Sequence, residues 1–304
     1  MLTRRLLLSN AMAMAAASSA TAQSRRTAIV PFEHSAFPYD GPVPDTGKPF
    51  LDVTKDGKRG HTSPRGGVYF TEPTYSDRRT LLHIGSGFRG SSQSALVVFF
   101  HGNTATLSRE VVARQRIVAQ FDASGIDGVL VAPQLAVNAL DSSGGRFWEN
   151  GFFASYLNEA AQKLGQLGGA GAGVFQRMPV IVTAYSGGYN PAIFALLNGG
   201  AASRVRGVIL FDALFGELPR YAQWVASSGN RAFFVSAYGP SSRNENMSLR
   251  ATLSSRGIGV QDGAPPQLSG GGVWFVDAKG AAHNDFMTRA WVANPFRDML
   301  ARIK

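Results

Sequence analysis

Short apolar runs of strand length alternate with helical stretches along most of this chain, and the alternation limits the folds that it can adopt. Eight runs are predicted strands, at residues 68–70, 81–84, 95–100, 129–132, 179–184, 205–211, 232–237 and 272–276. Helices are predicted at residues 107–122, 151–165, 188–198, 219–228, 246–256 and 284–303. Five strands are almost continuously apolar, as is typical of strands buried on both faces of a parallel sheet. The pattern predicts an α/β fold with a mostly parallel, doubly wound, eight-stranded sheet, whose sites lie at the carboxyl ends of the strands.

The first 22 residues have the three-part layout of an export signal. Arg4 and Arg5 precede a modest apolar stretch over residues 6–17, and the Ala-Thr-Ala sequence at 20–22 is a small-x-small cleavage site before Gln23. The paired arginines are similar to a twin-arginine signal, and the alternative is an ordinary secretory signal with two chance arginines. The apolar stretch is too short to span a membrane. We therefore expect a periplasmic or secreted protein without a membrane span.

The remaining chain divides into an arm and one domain. Residues 23–66 are rich in proline, glycine and charge and show little periodicity, so we interpret them as an extended N-terminal arm lying over the surface. Residues 67–304 contain the alternating strands and helices. The chain is 304 residues long and 44% hydrophobic, which is enough for one sizeable core.

Charge and cysteine content exclude some classes of function. The net charge of +10 would permit an anionic partner. However, the basic residues are scattered and no run of five like charges occurs, so a solvated basic surface is favoured over a nucleic-acid site. The chain has no cysteine, which excludes disulfides, a thiol nucleophile and cysteine-based metal sites.

A serine directly follows the fifth predicted strand and is followed by two glycines and a predicted helix. The strand runs through residues 180–185 into Ser186, Gly187 and Gly188. A sharp strand-to-helix turn of this kind exposes the serine hydroxyl and admits only small residues two positions before and after it. Ala184 and Gly188 occupy those positions, although alanine at the first departs mildly from the usual glycine. The alternative interpretation is a glycine-rich turn with an incidental serine.

Polar residues that could assist a reactive serine follow two other predicted strands. His101, Gly102 and Asn103 follow the third predicted strand, and the glycine would let the backbone turn its amides toward a substrate. His283 follows the last predicted strand and opens the last helical stretch. His101 is interpreted as a structural residue that holds its loop rather than as a base.

Together these motifs resemble the α/β-hydrolase superfamily, in particular its secreted serine esterases and lipases, over about residues 67–304. The resemblance implies that Ser186 is the nucleophile and His283 the base, in the chain order serine, acid, histidine. It also implies an oxyanion hole formed by the backbone N–H groups of Gly187 and Asn103.

The acid of such a triad has three candidates. Asp212 directly follows the apolar sixth strand, where a buried carboxylate needs a partner such as imidazole, and is favoured. Its alternative role is a helix cap. Many members of the superfamily carry the acid after the seventh strand, where Glu245 is the one acid in the next 13 residues. Asp277, or no acid at all, stays open.

The expected function is hydrolysis of a carboxylic ester through an acyl-enzyme intermediate, with a small-molecule or lipid-like acyl substrate and no metal or organic cofactor. Alternatives are a peptide or cell-wall amide hydrolase and, in another class, a non-catalytic binding protein with the same fold. Four aromatic residues are candidates to line an apolar acyl pocket, with ordinary core packing as the alternative: Tyr185, Tyr189, Phe147 and Trp148. The oligomeric state is left open.

Overall fold

A nine-stranded sheet forms the centre of the protein. The computed structural model describes residues 26–303, so the proposed export signal lies outside the described residues. The sheet contains β1 (Thr27–Pro31), β5 (Arg79–Ile84), β6 (Ala95–Phe100), β7 (Gly128–Pro133), β8 (Val180–Tyr185), β9 (Val205–Phe211), β10 (Phe233–Tyr238), β11 (Gln261–Asp262) and β12 (Val273–Asp277). A separate three-stranded sheet contains β2 (Val53–Lys55), β3 (Lys58–Thr62) and β4 (Val68–Phe70).

The strand order of the large sheet is β1-β5-β7-β6-β8-β9-β10-β12-β11. Strand β5 runs antiparallel to both of its neighbours, β1 and β7. From β7 onward in this order, every strand is parallel to the next. The carboxyl ends of β6, β8 and β9 therefore meet at one edge of the sheet. This arrangement agrees with the predicted mostly parallel α/β architecture.

The large sheet contains nine strands within residues 26–303, whereas eight were predicted. Strand β4, predicted as the first strand, belongs to the small sheet instead. Its place at the start of the large sheet is taken by β1, which lies in the predicted arm and pairs antiparallel with β5. Strand β1 is an edge strand with four half-buried residues, and its apolar run of Ala28, Ile29 and Val30 stops at Pro31, so its strand signal is weak.

Helices cover both faces of the large sheet. They are α1 (Thr71–Thr74), α2 (Ile117–Ser124), α3 (Phe152–Gly168), α4 (Ala172–Gln176), α5 (Tyr189–Asn198), α6 (Leu218–Ser228), α7 (Arg243–Ser255) and α8 (Pro295–Leu300), with a π-helical segment at Leu107–Arg114. Alternate residues of β6 enter two separate cores. Leu96, Val98 and Phe100 pack on the side of α3, α5 and α6, whereas Val97 and Phe99 pack on the side of α2 and α8. The sheet is thus doubly wound.

Two predicted helices are interrupted at single residues. The helix predicted over 107–122 breaks where Arg116 adopts a left-handed conformation with φ of 54°, before α2 begins. The helix predicted over 284–303 is reduced to α8, which begins at Pro295 after Asn294 with φ of 58°. Proline lacks the N–H that a helix interior requires, so it suits the first helical turn and not the middle of a longer helix.

Within the described part of the chain, no helix is both long enough and apolar enough to cross a membrane.

Candidate active site

Ser186 lies in the tight turn between β8 and α5. Its φ of 52° is unusual for a residue with a side chain, and backbone strain of this kind concentrates at functional sites. Crowding explains the small residues around it. A Cβ on Gly188 would overlap the carbonyl oxygen of Phe100, and a Cβ on Gly102 would lie 2.7 Å from the Cβ of Ser186. The turn therefore brings the ends of β6 and β8 into contact with the serine.

A continuous hydrogen-bonded chain joins Ser186, His283 and Asp212. Nε2 of His283 lies 2.8 Å from Oγ of Ser186, and its Nδ1 lies 2.6 Å from Oδ2 of Asp212. A carboxylate can only accept, so Nδ1 carries the proton and Nε2 is free to accept the serine O–H. The sheet brings these residues together from the ends of β8 and β9 and the loop after β12, across up to 97 residues of sequence.

Asp212 is fully buried, and four donors surround its carboxylate. Besides His283, these are the N–H of Gly239 at 3.0 Å, the hydroxyl of Ser242 at 2.5 Å and the hydroxyl of Ser241. Burial by itself would raise the pKa of Asp212, but the hydrogen bonds from His283, Ser241, Ser242 and Gly239 outweigh it. The pKa lies below its ordinary value, so the carboxylate is ionised at neutral pH.

The other two candidate acids lie elsewhere. Glu245 is half-buried in the first turn of α7. Asp277 ends β12 and accepts from Arg243 at 3.0 Å and from the N–H of Lys279 at 2.8 Å. Within residues 26–303 no hydrogen bond joins either carboxylate to His283, whereas Asp212 has one.

Two aromatic rings hold the imidazole of His283 in place. The ring of Tyr185 stacks on it at 5.2 Å between centroids, and the Tyr185 hydroxyl donates to the His283 carbonyl oxygen at 2.7 Å. Phe215 packs edge-on against the same imidazole at 5.5 Å. Tyr185 is thus buried beside the histidine, which differs from its predicted place in a pocket wall. Phe215 has no motif that would mark it in the sequence.

The loop after β6 lies against the turn that contains Ser186. A Cβ on Gly187 would overlap Oδ1 of Asn103 and lie 2.7 Å from Oγ of Ser142, which itself donates to that Oδ1 at 3.1 Å. Among the described residues the backbone N–H of Asn103 has no acceptor. The N–H of Gly187 lies in the first turn after β8, where N–H groups have no partner within the helix. Both N–H groups belong to backbone segments next to Ser186.

His101 is a fully buried part of this loop. Its Nε2 accepts from the N–H of Leu135 at 2.9 Å and from the Gln134 side chain at 3.0 Å, and its Nδ1 donates to the Gly102 carbonyl oxygen at 2.8 Å. Burial lowers the pKa of His101 to about 4. The ring is therefore neutral at neutral pH and ties the loop after β6 to the loop after β7.

A pocket of about 250 Å³ lies next to the Asn103 loop, which packs against the turn that contains Ser186. Trp148 and Tyr189 line it, and Ser142 connects it to the Asn103 loop. Phe147, predicted to share this role, is instead fully buried and packs against Phe100 at 4.9 Å between centroids. Its sequence neighbour Trp148 faces the pocket because adjacent residues of a 3₁₀ helix lie about 120° apart around the helix axis.

The N-terminal segment forms one wall of this pocket, which the sequence did not indicate. Val43, Pro44, Asp45, His61 and Arg65 all line it. The segment is held against the domain by aromatic contacts, such as Phe37 with Tyr75 at 5.0 Å, and by the ion pair between Asp45 and Arg220. Part of the predicted arm is thus a wall of the candidate site.

The chain has distant similarity to several solved esterases and hydrolases. It matches the feruloyl esterase module from Clostridium thermocellum at 15% identity and a TM-score of 0.42, with coverage of 89% of this chain and 95% of that one. It matches an S-formylglutathione hydrolase from Agrobacterium tumefaciens at 13% identity and a TM-score of 0.44, with coverage of 83% of this chain and 98% of that one. It matches the ferric enterobactin esterase from Salmonella typhimurium at 13% identity and a TM-score of 0.45, with coverage of 80% of this chain and 56% of that one.

No protein-family model matches the chain, and no curated protein matches it either.

Proposed function

We propose that this protein is a serine hydrolase of the α/β-hydrolase type that cleaves a carboxylic ester. The observation that supports this proposal most directly is the hydrogen-bonded chain from Ser186 through His283 to the buried Asp212. Such a chain lets imidazole take the serine proton while the carboxylate stabilises the imidazolium that forms. A binding protein of the same fold would not need this alignment.

In the proposed reaction, Oγ of Ser186 attacks the acyl carbon and its proton passes to Nε2 of His283. The backbone N–H groups of Gly187 and Asn103 stabilise the oxyanion of the tetrahedral intermediate. His283 then gives the proton to the leaving alcohol, and the acyl group remains on Ser186. Water, deprotonated by the same imidazole, releases the acid and restores the serine.

Labelling with a fluorophosphonate probe tests the proposal. The probe forms a bond only to an activated serine, so mass spectrometry should find one adduct on the peptide that contains Ser186. Ser186→Ala should abolish labelling and lower ester turnover by on the order of a millionfold. Ser248→Ala, in an exposed position of α7, is the matched control and should label fully. Absence of any adduct on the parent protein would favour the non-catalytic alternative.

We also propose that the protein is exported to the periplasm or beyond, since Arg4, Arg5 and the Ala-Thr-Ala sequence at 20–22 have the pattern of a twin-arginine signal. The choice between ester and amide substrates is part of the same proposal. An amide demands protonation of a poorer leaving group, so an amidase should hydrolyse matched esters as well, whereas an esterase should leave amides nearly untouched.

A further inference from the structure

The loop that carries His283 is mostly irregular and is held by side chains from other elements. It joins β12 to α8 over residues 278–294, and its backbone forms a 3₁₀ turn at His283–Asp285. Irregular connections move more readily than the strands and helices that they join. Nε2 of His283 nevertheless lies 2.8 Å from Oγ of Ser186. Restraint of the chain beside the imidazole therefore matters to the geometry of the candidate active site.

Arg114 and Tyr185 hold the loop at the histidine itself. Nη1 of Arg114 donates to the carbonyl oxygen of Asn284 at 2.7 Å, one residue beyond His283. The Tyr185 hydroxyl donates to the carbonyl oxygen of His283, also at 2.7 Å. Burial raises the pKa of Tyr185 to about 12, and the positive charge of the nearby Arg114 is the strongest influence against that rise. The two side chains thus lie close together and bind adjacent peptide groups of the loop.

Gln120 holds the same loop at a second point. Its Nε2 donates to the carbonyl oxygen of Met287 at 2.7 Å, and its Oε1 accepts from the N–H of Arg297 at 3.1 Å. Gln120 is buried in α2, so its loss would damage packing as well as geometry. Arg114, by contrast, is exposed and adds little to the hydrophobic core. A substitution of Arg114 therefore removes a restraint on the loop and leaves the core intact.

The backbone that carries Arg114 is itself anchored near the loop of Asn103. Arg114 is the last residue of the π-helical segment Leu107–Arg114. At the other end of that segment, the N–H of Leu107 donates to Oε1 of Gln134 at 2.9 Å, and the Gln134 amide also bonds to the buried His101. Helices of the π type are rare and occur frequently at functional sites. The segment connects the loop that contains Asn103 to the loop that contains His283.

A guanidinium group suits this role better than a neutral side chain would. It carries five N–H donors in one plane and stays charged at any pH at which the protein is folded. A charged donor makes a shorter and stronger hydrogen bond to a carbonyl oxygen than a neutral donor does. The bond from Arg114 to Asn284 can therefore persist although the side chain is exposed to water.

We propose, on the basis of the serine hydrolase function above, that Arg114 is a positioning residue for the base. By holding the chain at Asn284, it keeps Nε2 of His283 within hydrogen-bond distance of Oγ of Ser186. Arg114 neither exchanges a proton nor contacts the substrate in this role. Misplacement of a reacting group by about 1 Å can lower a rate about a hundredfold, so loss of the restraint should slow turnover.

Two substitutions of Arg114 test the inference. Arg114→Met keeps most of the apolar stem and removes every donor, so it should lower kcat for 4-nitrophenyl acetate by about tenfold or more. KM should not change, because His283 serves both acylation and deacylation and both steps should slow alike. The rate constant of fluorophosphonate labelling should fall by a similar factor, since labelling also needs Ser186 to be activated. Arg114→Lys keeps one charged donor and should recover most of both rates.

The fraction of molecules that finally label distinguishes positioning from folding. If Arg114 positions the base, every molecule of the methionine variant should label, but slowly. A smaller labelled fraction at the parent's rate would assign Arg114 a structural role only and would overturn the inference. Parent rates in Arg114→Met, or equally low rates in the methionine and lysine variants, would overturn it as well.

Arg177→Met is the matched control. It also removes an exposed arginine, but Arg177 precedes β8 and lies at the opposite end of that strand from Ser186. Its kcat and labelling rate should match those of the parent, and losses equal to those of Arg114→Met would show that charge alone causes the effect and would overturn the inference. Failure of the parent itself to label would instead remove the proposed function.

Discussion

The carboxylate of Asp212 lies 2.6 Å from Nδ1 of His283, although 71 residues separate them in the chain. The contact exists because β9 and β10 are neighbours in the sheet and β12 is next to β10, so the ends of β9 and β12 lie at the same edge. Its consequence is a fixed imidazole tautomer, with the proton on Nδ1 and a free acceptor toward Ser186.

Asp212→Asn should therefore be among the most damaging conservative substitutions in the chain. The amide keeps the shape of the side chain, but it favours the wrong imidazole tautomer and removes the charge that stabilises imidazolium. In a well-studied serine protease triad this change costs about ten-thousandfold in turnover. We expect a similar loss of kcat in steady-state hydrolysis of 4-nitrophenyl acetate.

Glu245→Gln is the matched control for that substitution. Glu245 lies in α7 without a bond to His283 and should tolerate the change with kcat within about twofold of the parent. The reverse pattern, with Glu245→Gln crippling and Asp212→Asn mild, would assign the acid to the loop region after β10. If both were mild, Ser186 and His283 would act as a dyad.

Gly187→Ala should disturb the oxyanion site without touching the nucleophile. The added methyl group would overlap the Asn103 side chain and lie 2.7 Å from Oγ of Ser142, so the Asn103 loop must move away. Loss of one oxyanion donor typically lowers kcat by about a hundredfold to a thousandfold. Gly171→Ala is the control, since a Cβ there has open space around it. Equal kcat for both variants would contradict the assignment of Asn103 as an oxyanion donor.

His101 should make the stability of the protein depend on pH in a narrow window. Its pKa is about 4 in the folded protein against an ordinary value of 6.5. Below pH 6.5 the unfolded chain binds a proton that the folded protein does not, so the stability present above pH 6.5 is lost as the pH falls toward 4. The difference is on the order of 3 kcal/mol.

Urea unfolding of the parent and of His101→Gln at pH 7.5 and 4.5 measures this effect. The parent should be the more stable protein at pH 7.5, because the variant disturbs the bonds to Leu135 and Gly102. At pH 4.5 the gap between the two free energies of unfolding should narrow. If the free energy of unfolding fell by the same amount in both proteins between pH 7.5 and 4.5, groups other than His101 would cause the pH dependence.

Export gives a prediction that concerns the N-terminal residues alone. If Arg4 and Arg5 form a twin-arginine signal, changing both to lysine should block translocation, and the precursor should accumulate in the cytoplasm. The mature protein recovered from the parent should begin near Gln23. Cell fractionation with N-terminal sequencing measures both. Unchanged export of the lysine variant would favour the ordinary secretory route.

The residues that the sequence indicated best are those whose position depends on local structure. A β-branched strand that ends in Ser186, Gly187 and Gly188 can only make a tight turn into a helix, so the neighbourhood of the serine was predictable. Asp212 could be singled out because a carboxylate after an apolar strand needs a partner. Which of Phe147 and Trp148 faces the core could not be inferred, because the 3₁₀ helix turns adjacent residues about 120° apart and both side chains are aromatic.

The N-terminal wall of the pocket shows where sequence patterns have no information. Strands β2 and β3 are three and five residues long and mostly exposed, so they have neither a helical nor a strand period. Their position depends on contacts with distant residues, such as the Ser63 hydroxyl with the Leu140 carbonyl oxygen at 2.7 Å. Such tertiary contacts leave no periodic signal in the chain.

Ser242 belongs to the same group of unforeseen residues, and it positions the acid rather than touching the substrate. Its buried hydroxyl donates to Asp212 at 2.5 Å and is one reason that the pKa of Asp212 lies below its ordinary value. Ser242→Ala removes this donor, which should lower kcat by about tenfold, equivalent to about 1.4 kcal/mol. It should also lower the free energy of unfolding at pH 7 by about 1–3 kcal/mol, as for other hydrogen bonds to a buried charge.

The pH dependence distinguishes positioning of Asp212 from ordinary packing. The stability that Asp212 gains from its donors is present above its ordinary pKa of 3.8 and is lost as the pH falls through the lower pKa of the folded protein. The difference in free energy of unfolding between the parent and Ser242→Ala should therefore be largest at neutral pH and should shrink below pH 3.8. Ser228→Ala is the control, because it removes a buried hydroxyl that donates to the Trp224 carbonyl oxygen. The difference in free energy of unfolding between this variant and the parent should not change with pH, and its kcat should match that of the parent. If the two serine variants behaved alike in both measurements, Ser242 would have no role in holding the acid.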